Sequence, residues 1–251
     1  ANASALSATA TGDSANASAN RATALGVSAN ASALSATATG DSANASGNWS
    51  TALGVNARAS QRSATATGDS STASGNWSTA VGFRSTASAN YASALGANAS
   101  ATGHRSIAIG NASNAAGIRA TAMGYAASAA GEYSIAIGDG SRAIGNNAFA
   151  YGTNAVANGR NATAIGVGAR AEGYNTNSLA IGTGAVANGT DVTALGARAN
   201  ATGARATAIG AGAQTTRNDQ VVIGTSTTQV TLPNLAGTEE ELMACLLYTS
   251  P

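Results

Sequence analysis

The sequence of 251 residues has little charge, few aromatic residues and no lysine. Charged residues make up 9% of the chain, whereas an average soluble domain has about 25%. Twelve arginines balance eleven acidic residues to a net charge of +1. A chain with so small a net charge has no basic field with which to attract nucleic acid. We therefore expect no nucleic-acid partner.

Cysteine and histidine are also nearly absent. The single cysteine, Cys245, rules out an internal disulfide framework, and the single histidine, His104, cannot build a histidine-rich metal site. No apolar run reaches the roughly 18 residues that a membrane-spanning helix needs. We therefore expect no membrane contact by this chain. It begins in the middle of a repeat without a signal-peptide pattern, so we interpret it as a piece of a longer protein.

The sequence offers no arrangement suited to catalysis. Its carboxylates are scattered singly, and His104 has no nucleophile at a useful spacing. No glycine-rich phosphate-binding motif follows a strand and opens a helix. We predict no catalytic residue, no metal site and no cofactor, and hence no enzyme.

The chain is instead rich in a repeat of fourteen residues. The glycine that closes each Ala-x-Gly, here called the anchor glycine, occurs sixteen times from Gly12 to Gly224. Fourteen of the fifteen intervals are 14 residues long, and the one from Gly166 to Gly182 is 16. Alanine stands two residues before the anchor in fifteen of the sixteen units. Such a period predicts a stack of similar coils.

The alternation within a unit predicts strands. In the segment RSIAIG (105–110), Ser106 and Ala108 point to one side, and Ile107 and Ile109 to the other. A second glycine often lies seven residues after the anchor, so each half coil is predicted to be about five extended residues and a two-residue turn. We predict an all-β fold, a parallel β-solenoid of about sixteen coils with two short strands per coil. Stacked strands about 4.8 Å apart would make it about 75 Å long.

Small residues mark the predicted interior of this solenoid. Alanine or serine stands mostly two and four residues before each anchor, and three and five residues after it. The positions four and six residues after the anchor are mostly polar and can face water. The positions one and three residues before it are apolar over much of the chain, and the first coils dilute them with threonine, as at Thr37 and Thr39.

The outward apolar positions form a ladder too large for a monomer to expose. We predict that this apolar ladder is an interface between parallel copies of the chain. Its predicted members are Leu25, Leu53, Leu95, Ile107, Ile109, Met123, Ile135, Ile137, Ile165, Leu179, Ile181, Leu195, Ile209 and Ile223. The alternative is a monomer in which these residues point inward and the alanines outward.

A second candidate surface lies five residues before each anchor, at a coil edge. Bulky side chains should line up there from coil to coil. They are Trp49, Trp77, Tyr91, Arg105, Arg119 and Tyr133, with Ser63 in the same row. Aromatic residues and arginine are enriched at binding hot spots, so we predict a ligand-binding edge. The alternatives are that a neighbouring protomer covers this edge, or that the rings only shield the turn backbone.

The segments HRSIAIGNAS, EYSIAIGDGS and TNSLAIGTGA resemble the head repeats of YadA-like trimeric autotransporter adhesins. The resemblance covers residues 1 to about 224. It implies a left-handed parallel β-roll, a parallel homotrimer, and display on the surface of a Gram-negative bacterium. It also implies adhesion to host cells or extracellular matrix, and anchoring in the outer membrane through a C-terminal region absent from this chain.

The resemblance divides the chain into three parts. Residues 1–224 are the head, residues 225–237 resemble the closing segment of such heads, and residues 238–251 form a tail of different composition. The tail is either the start of a stalk or sequence foreign to the head. Two other functions stay open from the sequence: a passive spacer that lifts another adhesive domain, and an ice-binding solenoid with Thr-x-Thr rows, as at 9–11, 37–39 and 65–67.

Overall fold

The computed structural model describes residues 1–173 and 177–230. In these residues thirty-one short strands form two parallel sheets, one of 15 and one of 16 strands. Each strand pairs with the equivalent strand of the next coil, so consecutive strands of the chain lie in different sheets. The predicted parallel solenoid with two strands per coil is confirmed.

The 16-stranded sheet is called the pre-glycine sheet, because its strands end one residue before an anchor glycine. Its strands are β2 (Thr9–Thr11), β4 (Thr23–Leu25), β6 (Thr37–Thr39), β8 (Thr51–Leu53), β10 (Thr65–Thr67), β12 (Thr79–Val81), β14 (Ser93–Leu95), β16 (Ile107–Ile109), β18 (Thr121–Met123), β20 (Ile135–Ile137), β22 (Phe149–Tyr151), β24 (Thr163–Ile165), β26 (Leu179–Ile181), β28 (Thr193–Leu195), β30 (Thr207–Ile209) and β31 (Val221–Ile223).

The 15-stranded sheet is called the post-glycine sheet, because its later strands begin four residues after an anchor. Its strands are β1 (Asn2–Ala3), β3 (Asn16–Ala17), β5 (Asn30–Ala31), β7 (Asn44–Ala45), β9 (Arg58–Ala59), β11 (Thr72–Ala73), β13 (Thr86–Ala87), β15 (Ser100–Ala101), β17 (Asn114–Ala115), β19 (Ser128–Ala129), β21 (Arg142–Ala143), β23 (Val156–Ala157), β25 (Arg170–Ala171), β27 (Val186–Asn188) and β29 (Asn200–Thr202).

These strands are only two or three residues long, shorter than the five extended residues expected per half coil. The reason is that the turns leave the extended conformation, with φ near +55° at residues such as Ser28 and Trp49, although they remain hydrogen-bonded along the stack. The Trp49 amide donates to the carbonyl oxygen of Leu34 at 2.8 Å, and the Ser28 amide donates to that of Asp13 at 2.8 Å. Turn residues thus donate hydrogen bonds to the preceding coil, although they leave the extended conformation.

Alanine fills the interior between the two sheets. Apart from the partly buried Ala10 of the first coil, the alanines two residues before and five residues after the anchors, such as Ala108 and Ala101, are fully buried. The predicted orientation of the faces is confirmed, and the inverse arrangement with the large residues inward is wrong. Val192 is the largest fully buried side chain, and it lies beside Gly189, where an added Cβ would come within 2.9 Å of its Cγ2 atom.

The two kinds of glycine serve different needs. The anchor Gly110 has φ +121°, which side chains rarely adopt, and an added Cβ would lie 2.5 Å from the carbonyl oxygen of Gly124. Gly75, seven residues after an anchor, has no such φ, but an added Cβ would overlap the Ala89 carbonyl. Each anchor therefore needs glycine for its backbone conformation, whereas the second position needs it only in coils where the neighbouring backbone approaches as closely as at Gly75; Ala19 and Ala33 stand there in early coils.

The predicted parts beyond the last strand are described only in part. Residues 225–230 of the predicted closing segment follow β31 as turn and irregular chain. Residues 231–237, the tail 238–251 and Cys245 lie outside the described residues, as do residues 174–176 in the longer repeat interval.

Candidate functional site

The turn before the pre-glycine sheet presents the predicted edge residues in a left-handed conformation. Residues five before the anchor have φ close to +55°, including Trp49 (59°), Trp77 (54°) and Tyr91 (59°). This conformation points each backbone N–H along the stack. The Tyr91 amide, for example, donates to the carbonyl oxygen of Asn76 at 2.9 Å. The side chains therefore follow one another along a single edge.

Stacking joins the first members of this edge. The Trp77 and Tyr91 rings are parallel to within 6°, with centroids 5.0 Å apart. Ser63 is too small to fill the row between Trp49 and Trp77. Arg62 occupies that space, with its guanidinium carbon 5.0 Å from the centroid of the Trp49 ring and 5.4 Å from that of Trp77. Such contacts are typical of cation–π interactions.

The same pattern continues in the following coils. The Arg105 guanidinium lies 5.5 Å from the Tyr91 ring centroid, and the His104 ring meets Tyr91 edge-on at 5.9 Å. Arg119 lies over the Tyr133 ring at 5.4 Å, and its Nη1 atom is 3.4 Å from the Tyr133 hydroxyl. We call this row the aromatic–arginine edge. Its members are Trp49, Arg62, Trp77, Tyr91, Arg105, Arg119 and Tyr133.

The arginines of this edge carry uncompensated charge. Among residues 1–173 and 177–230, ion pairs join Arg170 to Glu172 and Arg205 to Asp219, and none reaches the edge arginines. The exposed side chains of Arg205 and Asp219 join two neighbouring coils, and the Arg205 Nη2 atom lies 2.7 Å from the Asp219 Oδ2 atom. Their hydrogen bond lowers the pKa of the Asp219 carboxyl and raises the pKa of the Arg205 guanidinium.

The predicted apolar ladder lies on the outer surface of the pre-glycine sheet. Leu53, Leu95 and Met123 are 46%, 49% and 40% exposed, and Ile109 and Ile137 are half-buried. Adjacent members are in register, as Leu95 with Ile109 and Met123 with Ile137. The structure therefore brings the ladder residues onto one outer face, in two parallel columns one and three residues before the anchors. Their role as an interface stays a prediction.

The part of the chain that the structure describes holds no cluster of three or more metal-ligating His, Cys, Asp or Glu residues. It also holds no helix with the length and apolarity needed to cross a membrane. What the described surface offers is two long strips of side chains, one apolar and one aromatic and basic.

Sequence reasoning missed Arg62 and the contact of His104 with Tyr91. Both residues lie six positions before an anchor, directly before the predicted edge position five residues before it. The signal for Arg62 was the gap at Ser63, where a row of large residues is interrupted beside a long side chain. That signal becomes visible only when the direction of each side chain is known.

Comparison with protein families gives a match along nearly the whole chain. The model of the YadA head domain repeat matches residues 3–29, 31–71, 73–141 and 143–227. The chain belongs to this family. It is therefore a YadA-like adhesin head, made of the repeats that the sequence resembles.

This YadA-like head also resembles a solved structure. The collagen-binding domain of the Yersinia adhesin YadA is 32% identical, with a TM-score of 0.49. The alignment covers 55% of this chain and 77% of the Yersinia chain. The comparison with curated protein sequences gives no match.

Proposed function

We propose that this YadA-like head is a parallel homotrimer that attaches a bacterium to host cells or extracellular matrix by many weak contacts. The observation that carries the proposal is the apolar ladder, which follows the outer surface of the pre-glycine sheet from Leu25 to Ile223. A row of exposed Leu, Ile and Met along a whole rod exceeds what a soluble monomer usually presents. Three identical ladders that meet at a common axis would remove it from water.

The same symmetry gives the head its mode of attachment. Each coil edge would occur three times around the rod, and many rods would stand on one cell. Weak contacts then add through avidity, because each further contact forms within one assembly. The proposed location is the bacterial surface, with anchoring in the outer membrane by a C-terminal region outside this chain.

Host matrix is the proposed target class for two reasons. The related Yersinia domain is described as collagen-binding, and the present chain has the exposed aromatic–arginine edge as a candidate contact. Collagen itself is one candidate ligand among the matrix molecules. The low net charge of +1 argues against attachment by long-range electrostatic attraction.

The trimer is tested by the solution mass of the whole chain in analytical ultracentrifugation without a crosslinker. The expected result is three times the chain mass of 23.9 kDa, at concentrations down to the micromolar range. A folded monomer under the same conditions would contradict the proposed seam. Far-ultraviolet circular dichroism with a strand spectrum serves as the control for folding.

Adhesion is tested separately, with the chain applied to immobilised matrix proteins and to cultured host cells. Saturable binding is expected, and its loss on monomerisation would show that avidity is needed. A trimer that binds none of these surfaces would favour the passive spacer. The ice-binding alternative has less support, because Leu25 and Leu53 interrupt the Thr-x-Thr rows of the pre-glycine sheet. A thermal hysteresis assay would detect ice binding directly.

A further inference from the structure

The aromatic–arginine edge places bulky residues in turns where smaller residues would adopt the backbone conformation at a lower cost in free energy. Left-handed φ values cost a bulky residue on the order of 1 kcal/mol, and asparagine tolerates them better. The opposite turn has the same conformation two residues after each anchor, and small residues such as Ser28, Ser42 and Asn98 dominate there. The fold therefore does not require Trp, Tyr or Arg in a left-handed turn, and their presence in six of seven successive coils needs another reason.

The stacking determines what this edge can offer to a ligand. The Trp77 and Tyr91 rings cover one another, and the Arg62 guanidinium lies between the Trp49 and Trp77 rings. Most ring faces are thus already occupied, so a neutral sugar or an apolar side chain has little face on which to stack. The free parts are the ring edges, which carry partial positive charge, and the unpaired guanidinium groups.

The charge along the edge has one sign over most of its length. Arg62, Arg105 and Arg119 contribute positive charge, and the first acidic residue in this turn of the coil is Glu132, at the far end. The acidic residues of the early coils, such as Asp41 and Asp69, lie in the opposite turn. Their carboxylates therefore do not neutralise the edge arginines.

We propose that the aromatic–arginine edge binds a linear sulfated polysaccharide of the kind found in extracellular matrix. The edge is one side chain wide and, at 4.8 Å per coil, about 29 Å long, which suits a single extended chain better than a wide duplex such as DNA. Sulfate groups would accept hydrogen bonds from the guanidinium groups and face the positive ring edges. The inference rests on the proposed function in one respect: the edge must be open to solvent in the assembled head.

The test uses heparin as the probe and the whole chain as the protein. Binding is measured to immobilised heparin at about 50 mM and about 300 mM NaCl, because screening should weaken contacts made by exposed charges. The variant is Arg105→Asn with Arg119→Asn, since asparagine suits the left-handed turn and the fold should persist. The matched control is Arg58→Asn with Arg142→Asn, which removes the same charge from exposed positions on the post-glycine sheet.

We expect the edge variant to bind heparin roughly fivefold more weakly per protomer and the control variant to stay within about twofold. A second variant, Trp77→Ser with Tyr91→Ser, should also weaken binding, because Arg62 and Arg105 would lose the rings that position them. Equal losses in edge and control variants, or no heparin binding by the unaltered chain, would overturn the proposal. So would duplex DNA binding as tightly and with the same sensitivity to the edge variant.

These outcomes are distinct from failure of the proposed function. Ultracentrifugation of each variant reports the trimer, and binding to matrix proteins reports adhesion in general. A trimeric head that attaches to protein ligands but ignores heparin would retain the proposed function and refute the polysaccharide ligand. A monomer that still binds heparin through the edge would refute the proposed trimer and support the polysaccharide ligand.

Discussion

The first six coils and the middle coils of the rod have the same interior and different outer faces. Ala38 and Ala108 occupy equivalent interior positions, and neither has exposed surface. On the outer face, however, β6 presents Thr37 and Thr39, whereas β20 presents Ile135 and Ile137. Closure of a coil therefore depends on the small interior and the backbone bonds between coils. The outer chemistry is free to vary, and with it the strength of assembly along the rod.

The early coils and the C-terminal end of the rod also differ in how side chains connect one coil to the next. On the post-glycine sheet of the early coils, the Asn16 side chain donates to Asn30 at 3.0 Å, and Asn30 donates to Asn44 at 3.2 Å. Near the C-terminal end, an ion pair between Arg205 and Asp219 joins two coils. Neutral ladders do not depend on pH in the way that an ion pair does, so the ends of the rod should respond differently to acid.

The largest effect is expected from filling the common interior. Ala38→Leu and Ala108→Leu should each destabilise the fold by about 3 kcal/mol, because overpacking a tight core forces its neighbours apart. The measurement is the free energy of unfolding in denaturant. The control is Ala116→Leu, at an exposed position directly after β17 of the other sheet. A much smaller loss at Ala38 than at Ala108 would show that the two interiors are not equivalent.

A charge on the outer face should separate the two regions most clearly. Ile137→Asp is expected to weaken the proposed trimer by about 3 kcal/mol per protomer, since a buried unpaired carboxylate is strongly disfavoured. Thr39→Asp, at the equivalent position of an early coil, should cost about 1 kcal/mol, because threonine already makes that surface more polar. Sedimentation over a range of concentrations measures both. Equal effects would contradict an uneven seam.

The reverse substitution should strengthen the early coils. Thr39→Ile adds apolar surface to the proposed seam and should stabilise the trimer by about 1 kcal/mol. Thr72→Ile, on the outer face of the post-glycine sheet, is the matched control and should leave the association constant unchanged. If both variants, or neither, raise the association constant, the ladder is not the seam.

The smallest expected effect is on the stability of the fold at acid pH, through the ion pair of Asp219 with Arg205. The folded-state pKa of Asp219 is lowered by its hydrogen bond with Arg205, so this pair stabilises the fold at neutral pH. That contribution is lost as the pH falls from the ordinary aspartate value of about 3.9 through the lower folded pKa. Asp219→Asn should reduce the dependence of Tm on pH between about 5 and 2. Asp13→Asn, which removes a carboxylate bonded to Ser14, is the control.

Much of the fold could be predicted from the sequence because every repeat unit shows the same pattern of inward and outward residues. A single Ala-Ile-Gly says little, but sixteen units in register fix which residues point inward, as Ala108 does, and which point outward, as Ile109 does. The strand lengths could not be predicted. Turn residues such as Trp49 are hydrogen-bonded to the neighbouring coil although they are not extended. Tryptophan has no preference for a left-handed φ, so its conformation here could not be predicted from residue type.

The candidate site was predictable as a row but not as a structure. The spacing placed Trp49, Trp77 and Tyr91 at one edge, and the structure agrees. It did not place the Arg62 guanidinium between two rings, because that contact depends on the direction of a long side chain from the next column of the turn.

The sequence by itself determined the period, the two sheets, the thin alanine interior and the outward apolar ladder. These follow from which side of a strand a residue occupies, and alternation alone decides that. The tertiary structure decided the short strands, the left-handed turns and the stacked edge. Those depend on the approach of one coil to the next, about 4.8 Å. At that distance, backbone amides and side chains form their contacts with the neighbouring coil and not with residues adjacent in sequence.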